Sequence, residues 1–411
     1  MARLKSTKRL RRLLSVAAAK AGVEPPVLAF DRYISRSLLA EQQRPPAERH
    51  HERLLPARGN VDAGLIKDLS RVMDEEGARG IASEMAAASK LAAERVGGTA
   101  SGATEVVVQE RRGMVRLGLA SPEEGVAMSK PYVELSKEHY DKLAALHAAN
   151  AHLSGGSLRS RALCLLLRYD TLGAHGFQCA LPPGAFDVLH ARLGVSFECF
   201  ASPLNARHPR FCSAFGSNGD VDSFFGSAGS FFDFSPTEGS FEANPPFVPE
   251  VMHAAVKRSE DLLAAAEAAA AALSFAFVVP TWGQLPFHRQ LTASAWLRSP
   301  PDPASAAPRG ALFLDAESHA FVDGAAHARE DPRERLRESS FGTTVAVLQT
   351  AAAAERWPVT FELYDALGRA FRDALPTLQD AQARAQKRTS GGDAVAQLFK
   401  KRRGGTGGAA S

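Results

Sequence analysis

Asn244-Pro245-Pro246-Phe247 is a run whose residue types and order describe a grip for a planar –NH2 group. The Asn244 side-chain oxygen and the Pro245 carbonyl can each accept an N–H bond from such a nitrogen. Pro245 has no N–H of its own, and Pro246 restricts the residue before it to an extended conformation, which aims that carbonyl outward. Phe247 adds a flat face on which a base can stack. A nitrogen conjugated into an aromatic ring is a poor nucleophile. Two acceptors that draw its hydrogens toward tetrahedral geometry localise the lone pair and line it up with an incoming methyl group. Orientation and preorganised electrostatics would carry most of the barrier reduction, and the chemistry calls for neither a metal nor a general base of tuned pKa. The alternative reading of the same residues is a proline turn at a strand end, since Asn-Pro commonly opens turns.

A grip of this kind needs a strand to present it. Residues 239–243 run into it with strand character. From residue 195 onward, short apolar runs (195–201, 211–215, 231–234, 239–243, 274–280, 311–314 and 343–349) alternate with helices, the longest spanning 249–273. This alternation predicts an α/β sheet with ligands at the carboxyl ends of its strands. In that frame 195–200 is the first strand, and the loop after it docks the charged end of a cofactor. A glycine-rich turn of the usual kind is missing there, so the side chains of Ser202 and Asn205, on either side of Pro203, must take its place. Asp220 and Asp222, past the second strand, stand where acids hold ribose hydroxyls. Asp233 can accept from a cofactor adenine amino group while Phe234 stacks on it. Each acid reads equally as a solvated loop residue.

Upstream, residues 25–97 show apolar positions near the 3.6-residue period of helices, interrupted by Pro45, Pro46 and Pro56. Residues 105–119 read as a hairpin turning near Arg111-Arg112-Gly113, where Arg111, Arg112 and Arg116 either contact phosphates or are simply solvated. Helices are expected over 135–153, with Ser136 as N-cap, and over 159–169 and 182–193. At 411 residues there is room for two domains, and no apolar run is long enough to span a membrane. The four cysteines have no C-x-x-C spacing and read as reduced, mostly buried residues, not as a zinc or disulfide set. The net charge of +4 is uneven. Residues 1–23 carry seven Lys or Arg and no acid, while Lys387-Arg388 and 400–403 make a two-part basic cluster. That cluster points to the nucleus; the alternative is a mitochondrial presequence in the basic N-terminal segment, and plain solvated tails read the same way.

Several stretches together closely resemble the phosphorylated-CTD-interacting factor family, the cap-specific adenosine N6-methyltransferases. They are residues 197–205 (FECFASPLN), 211–215 (FCSAF), 222–227 (DSFFGS) and 239–247 (GSFEANPPF). Residues 164–169, 180–183, 273–275, 280–282, 344–350 and Trp357-Pro358 extend the likeness over roughly 130–360. The resemblance implies an α/β, Rossmann-like S-adenosyl-L-methionine-dependent methyltransferase core preceded by a mainly helical domain. Together with the composition of the flanking segments, the expected division is a basic tail (1–24), a helical substrate-binding domain with a small hairpin (25–157), a methyltransferase domain (158–375) and a disordered basic tail (376–411). It implies methyl transfer to N6 of the first transcribed adenosine when that base is 2′-O-methylated beside a 7-methylguanosine cap, so capped mRNA is the expected partner. By position, Asn244, Pro245, Pro246 and Phe247 are the catalytic grip. Ser202, Pro203, Asn205, Asp222, Asp233 and Phe234 contact the cofactor S-adenosyl-L-methionine, and Phe247, Glu250 and Trp282 the substrate. The family commonly has an acid two residues past Phe247; here that place is Pro249, followed by Glu250. Animal members carry a WW domain, which needs two tryptophans about twenty residues apart near the N-terminus. The tryptophans here are Trp282, Trp296 and Trp357, so a WW domain to bind the transcription machinery is not expected. A catalytically silent RNA-binding module on the same fold, or an enzyme acting on DNA adenine or a glutamine amide, are the competing readings.

Overall fold

The computed structural model describes residues 2–377 apart from 53, 98–104, 124–126, 130–131, 154–155, 173–177, 216–219 and 301–309. The basic cluster at 387–388 and 400–403, and nearly all of the expected tail from 376, lie outside the described residues.

The N-terminal part is built from α1 (Ala2–Lys20), α2 (Ala29–Gln42), α3 (Ala63–Leu69) and α4 (Glu75–Gly97). Residues 2–20, expected within a basic tail, are a packed helix. Leu4, Thr7, Leu10, Leu14 and Ala18 recur every three or four residues and are buried as α1 packs on α4, while the arginines between them stay near the surface. Arg11 is joined bidentately to the buried Asp31 of α2 at 2.6 and 2.9 Å.

The expected hairpin is β1 (Val106–Arg111) and β2 (Met114–Leu119). Arg112 and Gly113 both have positive φ, as the two-residue turn of a tight hairpin requires. A third strand that the sequence reading did not include, β3 (Val133–Ser136), pairs with β2, and Ser136 caps α5 (Lys137–Ala149) by accepting the His139 N–H. Arg116 is paired with Glu134 and lies over the Tyr132 ring. Against this sheet packs α6 (Leu158–Leu172); Leu163, Leu165, Leu166 and Tyr169 share one buried cluster with Leu38 of α2 and Phe224. The N-terminal helices and the later half of the chain therefore meet in a common core across residue 158.

After the short β4 (Cys179–Ala180) and α7 (Pro183–Leu193) comes the main sheet. Its regular strands are β5 (Gly239–Ala243), β6 (Leu273–Pro280), β7 (Leu297–Arg298), β8 (Leu312–Leu314) and β11 (Thr343–Gln349); β9 (Ala320–Asp323) and β10 (Leu336–Glu338) join β4 in a smaller sheet. β5 lies parallel to β6, and β11 antiparallel to it. Beyond β5 the ladder continues through single parallel bridges, Glu242 to Glu198, Glu198 to Phe211, and Phe211 to Ser227. Residues near 198, 211 and 227 thus add three irregular parallel edges. The expected apolar strand at 231–234 is instead a turn, and residues 227–229 take the edge beside Phe211.

β6 is buried on both faces, which explains its unbroken apolar run. Phe275, Phe277 and Val279 pack toward α8 (Pro249–Ala268) and α9 (Pro286–Thr292). Ala276 and Val278 pack toward α7 and α11 (Phe361–Asp373), which follows the short α10 (Ala351–Arg356). The chain is a mixed α/β protein with a helical layer on each face of the sheet.

Candidate active site

From the extended segment at 198 the chain moves outward to 211 and 227, then crosses back to place β5 on the other flank of 198. The order of strands reverses between residue 198 and β5. In open α/β sheets such a reversal opens a crevice at the carboxyl ends of the two strands, because the loops leave in opposite directions. A cleft of about 930 Å³, open mouth included, lies at this position. Cys199 to Ser202 and Asn205 wall it from one strand end, Asn244 and Pro246 from the other. Phe200, Phe231 and Phe232 give it an aromatic side. α2 contributes Leu38, Leu39 and Gln42, so a helix expected to bind substrate closes over the same cleft.

Asn244 is the first residue past β5 and is buried. Its Nδ2 donates to the Cys179 carbonyl at 2.7 Å. That bond assigns the amide's orientation, and it leaves Oδ1 buried without a hydrogen-bond partner among the described residues. A buried acceptor left open costs about 1–3 kcal/mol unless a ligand satisfies it. β5 supplies the reach: Glu242 N–H bonds the Phe197 carbonyl and Cys199 N–H the Glu242 carbonyl, so strand and neighbour end level with one another.

Phe247 stands edge-on to Phe341 with ring centres 5.4 Å apart, and Phe341 is 6.2 Å from Trp282 in the same manner. The two expected substrate-side aromatics are brought together through a ring the sequence reading passed over. Its signal was present: Phe341 directly precedes the run that becomes β11, and the Thr281 N–H to Gly342 carbonyl bond at 2.8 Å sets it beside Trp282. Glu250 is exposed in the first turn of α8, with Pro249 as the first helical residue.

The loop after residue 198 is held by side chains. Asn205 Oδ1 accepts from the Ser202 N–H at 2.7 Å and the Ser202 hydroxyl at 2.9 Å, and Asn205 Nδ2 donates to the Gln178 carbonyl. Glu198 Oε1 accepts the Arg207 and His208 N–H groups at 2.7 and 2.8 Å, drawing the far end of the loop back to its strand. These bonds stand in for the missing glycine turn. Burial pushes the Glu198 carboxyl up to about 7, and Glu242, its neighbour across the ladder, is raised well above the carboxylate range by burial and by Glu198 itself. Gly324 presses on the same place: a Cβ there would come within 2.4 Å of the Gln178 carbonyl, whose bond to the Gly324 N–H is 3.0 Å long.

Four other expected cofactor residues are not on the cleft wall. Pro203 is buried beneath it. Asp222 is fully buried, accepts the Tyr169 hydroxyl at 2.6 Å, and is pushed up to about 6 by burial; Tyr169, not Asp222, reaches the cleft. Asp233 is held bidentately by Arg49 at 2.6 Å on both oxygens. Phe234 is stacked on Phe197 at 4.7 Å and edge-on to Phe241. Within that turn it is Phe231 and Phe232 that line the cleft. Cys199 and Cys212 are buried and free, while Cys164 is exposed.

With this geometry in place, the likeness to known proteins can be placed on it. Residues 140–324 match a family model described as phosphorylated CTD interacting factor 1 WW domain. That span runs from within α5 through β9 and contains the cleft's lining apart from what α2 contributes. The chain is 36% identical over 256 residues to proteins from mouse and human, each named mRNA (2′-O-methyladenosine-N(6)-)-methyltransferase. The aligned part is 59% of this chain and 33% of each relative, so the chain spans about a third of the length of the curated relatives it matches. The family model's description names a WW domain, and the match does not support the expectation that the chain is without one.

Proposed function

We propose that this protein is an S-adenosyl-L-methionine-dependent methyltransferase acting on N6 of the cap-adjacent 2′-O-methyladenosine of capped mRNA. The observation that carries the reading is the Asn244 amide, anchored through Nδ2 and open at Oδ1, at the strand end where the sheet order reverses. The names of the mouse and human relatives support the same reaction. The cleft suits the donor: it has open buried amide oxygens, an aromatic side for an adenine ring, and a loop rich in polar groups at the first strand end. Bound there, S-adenosyl-L-methionine supplies an electrophilic methyl group. Among the proposed cofactor residues, Ser202 and Asn205 hold the loop. Asn244 Oδ1 and the Pro245 carbonyl accept the two N6 hydrogens and pull the amine out of conjugation. Phe247, backed by Phe341, sets the plane of the base, with Trp282 in the same aromatic row and Glu250 exposed in the first turn of α8 as the further substrate-side residues. These acceptors bind more strongly as the nitrogen pyramidalises, so they favour the transition state over the bound base.

The test is methyl transfer from labelled donor, with cap nucleotides read by mass spectrometry. RNA beginning with a capped adenosine is expected to gain one N6-methyl group. Uncapped or guanosine-initiated RNA is expected to be a poor substrate, and added salt to weaken RNA binding more than cofactor binding. Equal methylation of internal adenosines would contradict cap specificity and leave a general adenine methyltransferase.

A further inference from the structure

Most polar side chains on the cleft wall are already engaged. Asp31 is paired with Arg11, Gln42 donates to the Ala214 carbonyl, Asn205 is tied to Ser202, and the Tyr169 hydroxyl is given to Asp222. Gln178 is the exception beside Asn244. It is 9% exposed, lines the cleft, and its Oε1 is buried with no hydrogen-bond partner among the described residues. Its backbone is immobilised, since the Gln178 carbonyl accepts from both the Asn205 Nδ2 and the Gly324 N–H at 3.0 Å. The next residue, Cys179, supplies the carbonyl that orients Asn244. Two consecutive residues thus tie the loop after the first strand to the grip after β5, and the one open side chain between them is a primary amide.

We propose that the Gln178 side-chain amide binds the zwitterionic amino-acid end of the methyl donor, an inference that rests on the cofactor reading of the cleft. The chemistry matches in either rotamer. An amide oxygen accepts from an ammonium, and an amide NH2 donates to a carboxylate, so one side chain meets both charged groups without a net charge of its own. Position decides which end of the donor lies there. The charged end of a cofactor docks at the loop after the first strand, to which Gln178 is bonded, whereas the rings that suit an adenine, Phe200, Phe231 and Phe232, come from the strand ends at 198 and 227 and the turn that follows. The reactive methyl sits between these two ends, which leaves it facing Asn244.

Binding to the purified full-length chain is measured by calorimetry with two compounds, S-adenosylhomocysteine and 5′-methylthioadenosine, which keeps the nucleoside but lacks the amino-acid end. Gln178→Leu is expected to weaken S-adenosylhomocysteine by about 10- to 100-fold, as loss of a hydrogen bond to a charged group implies, and to leave methylthioadenosine within about twofold. Gln178→Met keeps the length and much of the volume of the side chain without its amide and serves if the Leu variant fails to fold; it too is expected to weaken S-adenosylhomocysteine selectively. Equal loss for both compounds, or no loss for either, would overturn the assignment. A lowered turnover with unchanged affinity for S-adenosylhomocysteine would overturn it as well, and place Gln178 on the RNA base. If the unmodified protein bound neither compound, the cofactor reading itself would fail, and this inference with it.

Discussion

The two ends of the Asn244 amide have different duties, and the structure separates them. Nδ2 is bonded to Cys179 and holds the side chain still; Oδ1 is left for a ligand. This residue was legible from sequence because Asn-Pro-Pro-aromatic constrains its own backbone. Asp233 was not, because the arginine that holds it, Arg49, lies 184 residues earlier in a connector with no pattern of its own. Asp222 misled for a similar reason: an acid past a strand looks like a ribose ligand, and nothing local reveals that Tyr169 of α6 seals it in. Phe247 makes a prediction at this scale. Its ring is half-buried and packs on Phe321 and Phe341. Phe247→Ala removes base stacking worth about 1–3 kcal/mol, part of it already present in the ground-state complex. Steady-state kinetics on capped RNA should therefore show KM rising as well as kcat falling; a fall in kcat with KM unchanged would remove the ring from base binding.

At the scale of elements, the longer helices and the strands with unbroken apolar runs were legible, whereas β3, β4, β7, β9 and β10, two to four residues each, carry too little pattern to be read. α5 begins at the expected cap, and β5, β6, β8 and β11 fall within a residue or two of the expected runs. The irregular edges at 198, 211 and 227 were harder, because single bridges leave no alternation to read. Their stability has a pH signature. Glu198 and Glu242 are paired across adjacent parallel edges, and burial raises both above the usual carboxylate value of 4.5. A carboxyl whose folded pKa is raised binds its proton more tightly in the folded state. Its contribution to stability is fully present below the unfolded pKa and is lost as pH rises through the folded one. Glu242→Gln keeps the shape and removes the charge. Its Tm relative to the unmodified protein should therefore rise as the pH goes from about 5 to about 7; a difference that stays flat across that range would show that folding does not raise the Glu242 pKa.

Across the whole molecule, the N-terminal helices are part of the site's walls. α2 lays Leu38 and Leu39 on the cleft, Leu39 packs with Val248 and Val251 just past the grip, and Arg49 reaches Asp233 from the connector that follows. Sequence order suggested a substrate-binding domain standing apart, since periodicity within a helix says which face is buried but not against what. Among the described residues no helix is long and apolar enough to cross a membrane. On the proposed reading the assembled molecule holds a base, a methyl donor and two acceptors in one line, and a single substitution separates that alignment from mere binding. In Asn244→Ala the backbone, the Pro245 carbonyl and the Phe247–Phe341 row remain, and the open acceptor is lost together with the Nδ2 bond to the Cys179 carbonyl. Single-turnover methylation of capped RNA, measured beside the affinities for RNA and S-adenosylhomocysteine, is the most direct test. The rate should fall about 10²- to 10³-fold while both affinities stay nearly unchanged. A near-normal rate in a variant that still binds capped RNA would contradict the account and make Asn-Pro-Pro-Phe a structural turn.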